Sequence, residues 1–168
     1  MKKTIFYALV FLTILGCSAT KEVSTFEKIV FHSSRCFGSC PIINLQVNKD
    51  KSILLSKTAA PMKGKLSDNV SKEEEFHYFR GTLNSELYDQ LISELNKIQE
   101  LKFDGPNCCD APMKTLIIYQ GGKRKAVETM FPPEEAEGLI SILYQISKLD
   151  NLTEVNEKFE IEKIEHQN

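Results

Sequence analysis

After Leu15 the sequence contains no apolar stretch approaching the ~20 residues that a membrane-spanning helix needs. A helical span in the body of the chain is therefore excluded. A basic stripe is also missing, which makes nucleic acid a poor partner for a chain of net charge −2. The basic cluster Lys123-Arg124-Lys125 follows Gly121-Gly122 and reads as a solvated hairpin tip. There is no glycine-rich phosphate loop, no Ser/His/Asp order around a nucleophile elbow and no paired-carboxylate signature. Hydrolase and nucleotide chemistry thus have no visible carrier, and the chain reads as non-enzymatic, with no cofactor called for.

What is present begins at the N-terminus. Met1-Lys2-Lys3 precedes an apolar run from Ile5 to Leu15, the pattern of a signal peptide and too short for a spanning helix. The run closes in Ile14-Leu15-Gly16-Cys17, which resembles the lipobox of bacterial lipoproteins. That resemblance implies a diacylglyceryl thioether on Cys17 and cleavage after Gly16. Each buried methylene contributes about 0.8 kcal/mol, so two or three chains on one cysteine anchor a protein durably. The expected organisation is a signal peptide over 1–16 and a lipidated cysteine with polar tether over 17–25. An α+β domain over 26–150 and a charged C-terminal tail over 151–168 complete it. The expected location is the cell envelope, lipid-anchored to a membrane, the outer membrane by preference. The domain then faces the periplasm or the cell surface, with an envelope protein as possible partner. Removing Lys2 and Lys3 with the leader takes the charge from −2 to −4 and leaves 152 of the 168 residues, enough for one domain. Oligomeric state is left open.

Secondary structure follows from periodicity. Glu27–His32 is β-rich and reads as a first strand. In Pro41–Asn48, Ile43, Leu45 and Val47 alternate with Asn44, Gln46 and Asn48, a half-buried strand with one wet face. Ser52–Ser56 is a third strand. Thr58–Glu75 is a polar loop, and aromatic Phe76–Thr82 a fourth strand. Asn84 or Ser85 can cap a helix running from about 85 to 100, with Leu87, Leu91, Leu95 and Ile98 as its apolar stripe. After a loop rich in turn formers, Lys114–Tyr119 and Arg124–Phe131 form a hairpin around Gly121-Gly122. Pro132-Pro133-Glu134-Glu135 opens a second helix with Leu139, Ile142, Leu143 and Ile146 inside. The tail adds a short strand around Phe159–Ile164 or stays loose. The expected fold is an antiparallel sheet of four to six strands with two helices on one face, in the order ββββαββα.

The cysteines admit two accounts. With Cys17 taken by lipid, Cys36, Cys40, Cys108 and Cys109 remain, and an oxidising compartment pairs them. A Cys108–Cys109 bridge conflicts with the usual Cα separation. Cross-pairing of the Cys36 loop with the Cys108 loop is therefore preferred, each link closing about 70 residues and worth about 4 kcal/mol in the chain-entropy model. The rival is chemistry at sulfur. Cys36-x-x-x-Cys40-Pro41 resembles the Cys-x-x-x-Cys-Pro site of copper-delivering thioredoxin-like proteins, with His32, or more remotely His77, completing a Cu(I) site. The alternating strand after Pro41 stands where that fold has a helix.

Arg35-Cys36-Phe37-Gly38-Ser39-Cys40-Pro41, followed by a strand, resembles the opening of domain of unknown function 6438, found in Bacteroidota lipoproteins. Members tend to show a strand, Cys-Phe-Gly-x-Cys-Pro, a β-hairpin, a helix, an Asp-x-Pro turn and a second hairpin with helix. Asp110-Ala111-Pro112 stands at the Asp-x-Pro position, and the resemblance covers roughly Glu27 to Leu149. It implies a fold and a compartment and carries no activity. Adjacent Cys108-Cys109 lies outside its pattern.

Overall fold

The computed structural model describes residues 26–36, 40–59, 75–98 and 111–164. The chain forms β1 (Lys28–Ser33), β2 (Ile43–Asn48), β3 (Ser52–Thr58), β4 (Phe76–Thr82), α1 (Ser85–Leu95), β5 (Lys114–Gln120), β6 (Lys123–Thr129), α2 (Glu134–Ile146) and β7 (Thr153–Val155). The strands make one seven-stranded sheet in the order β6-β5-β1-β2-β3-β4-β7. Every neighbouring pair is antiparallel. The fold class is α+β, as the patterning indicates, but the sheet is larger than the four to six strands expected. The order gains a closing strand, ββββαββαβ. That strand is Thr153–Val155, not Phe159–Ile164, and it pairs with the outer edge of β4.

Alternation explains the two faces. Ile29 and Phe31 of β1, Ile43, Leu45 and Val47 of β2, Ile53 and Leu55 of β3, and Leu116 and Ile118 of β5 form the main core with both helices. Leu87, Leu91, Ile92 and Leu95 come from α1; Ala136, Leu139, Ile140, Leu143 and Ile146 come from α2. Both helices therefore cover one face, as expected. Ile140 is buried more deeply than Ile142, which packs partly buried at the margin of the core, because the 3.6-residue period from Ala136 runs through 139/140 and 143. The Ser33 and Tyr144 hydroxyls, 2.7 Å apart, tie β1 to α2.

Local chemistry fixes the ends. Asn84 caps α1, its Oδ1 accepting from Leu87 N at 2.8 Å. The helix stops at Leu95 rather than near 100, closed by backbone bonds from Asn96. Gly121 and Gly122 take φ of +58° and +68°, as a two-residue hairpin turn with both central residues left-handed requires.

Cys36 is bonded to Cys40, with Cα atoms 5.4 Å apart. This overturns the preferred cross-link for Cys36 and Cys40. The chain just after β1 does meet the residue just before β5: Ser34 N donates to Met113 O at 2.9 Å, and Ser34 Oγ accepts from Met113 N at 2.8 Å. The bridge nevertheless stays within the first loop, for a reason of register. β1 and β2 pair Lys28 with Asn48 and Ser33 with Ile43, and the same register carried onward sets Cys36 opposite Cys40. Facing positions of an antiparallel pair lie about 5.5 Å apart, within disulfide reach. The leader, Cys17, the tether, the centre of the loop after β3, and Cys108-Cys109 lie outside the described residues.

Candidate functional site

The second face of the sheet, away from the helices, carries the site. Its register aligns one residue from each of six adjacent strands: Glu128, Thr115, His32, Asn44, Ser56 and Tyr78. Thr115 Oγ1 donates to Glu128 Oε1 at 2.8 Å. His32 Nδ1 lies 2.9 Å from Asn44 Oδ1, and Asn44 Nδ2 donates to Ser56 Oγ at 3.0 Å. The result is a polar row crossing the sheet at the end where the cysteine loop emerges. Burying such groups is tolerable only because each is paired, and Asn44 and Ser56 are 7% and 5% exposed. The wet strand face expected for β2 is thus partly enclosed.

What encloses it is the chain after β7. Residues 156–164 form neither helix nor strand. They cross the strands instead of joining them. Phe159 lies edge-on to Tyr78 of β4, ring centroids 5.2 Å apart, beneath the Arg80 guanidinium. Ile161, 6% exposed, packs with Val30 of β1 and Ile117 of β5 in a small second core. Glu162 then reaches the far side. Lys28 Nζ donates to Oε2 at 2.8 Å, Arg124 Nε to Oε1 at 2.9 Å, and Tyr119 Oη to both oxygens at 2.7 and 2.8 Å. Burial opposes the charged carboxylate, but the donors from Lys28, Arg124 and Tyr119 outweigh it and hold the Glu162 pKa at about 2. The Glu162 carbonyl accepts from His32 Nε2. A carbonyl can only accept, so this contact is made by a proton on Nε2.

This strap leaves an open groove on each side. The larger, about 570 Å³, has Asn44 and Ser56 in its floor and Phe76, Tyr78 and Phe159 in its walls. The smaller, about 300 Å³, runs from His32 and Asn44 to Ser34, Ile42 and Met113, beside the cysteine loop. Polar groups in a floor with aromatic walls are the ordinary makings of a binding cleft.

Residues 27–150 match the family model of a domain of unknown function (DUF6438). The chain belongs to the DUF6438 family. The matched span contains the whole helix-backed sheet except β7, and the strap lies beyond it. No curated protein and no solved structure matches the chain. The six-strand polar row is built entirely from residues inside the DUF6438 match.

Of the residues singled out from sequence, Cys36 and Cys40 are brought together by their bond. His32 joins the polar row, with its ring nitrogens on Asn44 and Glu162. His77 lies on β4 with Nδ1 2.7 Å from Glu154 Oε1, both exposed. Cys17, Cys108 and Cys109 lie outside the described residues. Among the described residues, no group of three or more His, Cys, Asp and Glu side chains is placed to hold a metal. Among them too, no helix is long and apolar enough to cross a membrane. The sequence reading missed Lys28, Tyr119, Arg124 and Glu162. Alternation put Lys28 on the same face of β1 as Val30 and His32, but nothing local linked that face to Glu162.

Proposed function

We propose that this chain is a lipid-anchored protein of the bacterial envelope whose domain binds another envelope component without catalysing a reaction. The site is the second sheet face at its cysteine-loop end. The carrying observation is the groove of about 570 Å³ with a hydrogen-bonded Asn44–Ser56 floor and aromatic walls. Polar floor groups orient a ligand and aromatic walls supply apolar area. The Gly16-Cys17 leader supports the anchoring part. The test places a photo-crosslinking residue at Tyr78, in the groove, and in a second strain at Asp89, on α1. A discrete adduct from Tyr78 and none from Asp89 supports the reading. No adduct, or equal adducts from both positions, defeats it.

A second reading is favoured by the Cys36–Cys40 bond. A pair this close in sequence can interconvert between dithiol and disulfide without rearranging the sheet. Equilibration in glutathione buffers decides between the two roles, since structural bridges have potentials below about −300 mV. A copper-binding variant of this reading has less support, because His32 would have to leave Asn44 and Glu162. Stoichiometric Cu(I) binding by the reduced protein, lost on replacing both cysteines, is its test.

A further inference from the structure

We infer that the second sheet face is a receptor for an extended peptide carrying a branched aliphatic residue followed by a carboxylate. Residues 159–164 of this chain are its resident occupant. The inference rests on the binding reading above and names the class of its ligand. Phe159-Glu160-Ile161-Glu162 alternates apolar and charged residues, and Lys163-Ile164 follows. Ile161 fills the depression over Val30 and Ile117. The Glu162 carboxylate is gripped by Lys28, Arg124 and Tyr119. His32 donates to the Glu162 carbonyl. That last contact takes a backbone carbonyl, an acceptor that an extended peptide presents at every residue.

The occupant is attached differently from the rest of the fold. Among the described residues, no backbone–backbone hydrogen bond holds positions 156–164. Side chains and one carbonyl seat them, on strands they cross at an angle. The seat, comprising Lys28, Val30, His32, Ile117, Tyr119 and Arg124, lies wholly within the DUF6438 match, and the occupant lies wholly outside it. The domain therefore carries a complementary surface that its own matched residues leave uncovered. Open grooves on both sides of the segment give an incoming strand room to start. While the chain is intact, linkage through β7 keeps the occupant at an effective concentration on the order of millimolar. A rival peptide must compete against that, so the seat opens only to a ligand that is abundant or itself held nearby.

The experiment uses the full chain with a site-specific protease sequence inserted after Asn156, which is exposed. The protein is purified folded, nicked, and dialysed to remove the freed segment. Binding of a fluorescent peptide of residues 156–164 is then measured by anisotropy, beside the same peptide with Glu162→Lys. The expected result is saturable binding of the native peptide to the nicked protein, with the lysine peptide at least roughly tenfold weaker. The unbroken chain should bind the native peptide at least roughly tenfold more weakly than the nicked one. A nicked domain that stays folded and binds neither peptide, or both equally, overturns the inference. So does a nicked domain that unfolds on losing the segment, since the segment is then part of the core. If the peptide fails while Tyr78 still gives its discrete adduct, the binding face stands and only the peptide class falls.

Discussion

Glu162 is the residue on which the second face closes. Its carboxylate is a shared acceptor for Lys28, Arg124 and Tyr119, and its pKa near 2 lies below the ordinary 4.5. The sign of the pH dependence follows. A carboxyl depressed in the folded state contributes stability that is complete above the unfolded pKa and is lost as pH falls through the folded one. Wild type should therefore lose this contribution between about pH 4.5 and 2, whereas Glu162→Gln has none to lose. At pH 7 the substitution should cost about 1 kcal/mol, the scale of a partly exposed charged hydrogen-bond set. Urea midpoints of the two proteins measured down the pH series should converge over that window. A gap at pH 2 as wide as at pH 7 would contradict the assignment.

At the level of elements, two changes separate local from long-range support. Asn84→Ala removes the side-chain cap on Leu87 N and should lower stability by about 1 kcal/mol in urea unfolding. The double change Cys36→Ser, Cys40→Ser opens a small loop and should cost about 2 kcal/mol in the chain-entropy model, not the ~4 of a link spanning 70 residues. A loss near the larger figure would mean that the bridge restrains more than its own loop. These elements were legible because their signals are local: Asn84 before an apolar stripe, and paired glycines between alternating runs. The local disulfide was not, because the awkward vicinal Cys108–Cys109 pair it implied counted against it, and only the β1–β2 register sets Cys36 opposite Cys40. Thr153–Val155 was not, since three residues with no apolar pattern acquire strand form only from the edge of β4. Phe159–Ile164 misleads for the opposite reason. Its period of two serves to bury Ile161 across the strands, and no ladder results. Of the site, Asn44 could be read as polar-faced from β2 alone. Its neighbours in the row required registers between strands distant in sequence. The Lys28–Glu162 pair is separated by 134 positions and no local pattern announces it.

The whole molecule has an orientation. The N-terminal tether proposed for the lipid anchor leads into β1, and Cys17→Ser should move the protein from the membrane pellet to the soluble fraction of fractionated cells and remove the added acyl mass. Retention in the pellet with unmodified mass would defeat the anchor. β1 is flanked by β5 on one side and β2 on the other, near the middle of the sheet. A pull entering through Phe26 therefore loads both ladders along their length, so that many bonds must break together. A pull on the opposite terminus peels side chains off one after another: first Ile164, then Glu162, then Ile161, then Phe159. Tension on the C-terminal end would thus bare the second face long before it threatened the sheet, and grip at the two ends of the molecule would fail at very different forces.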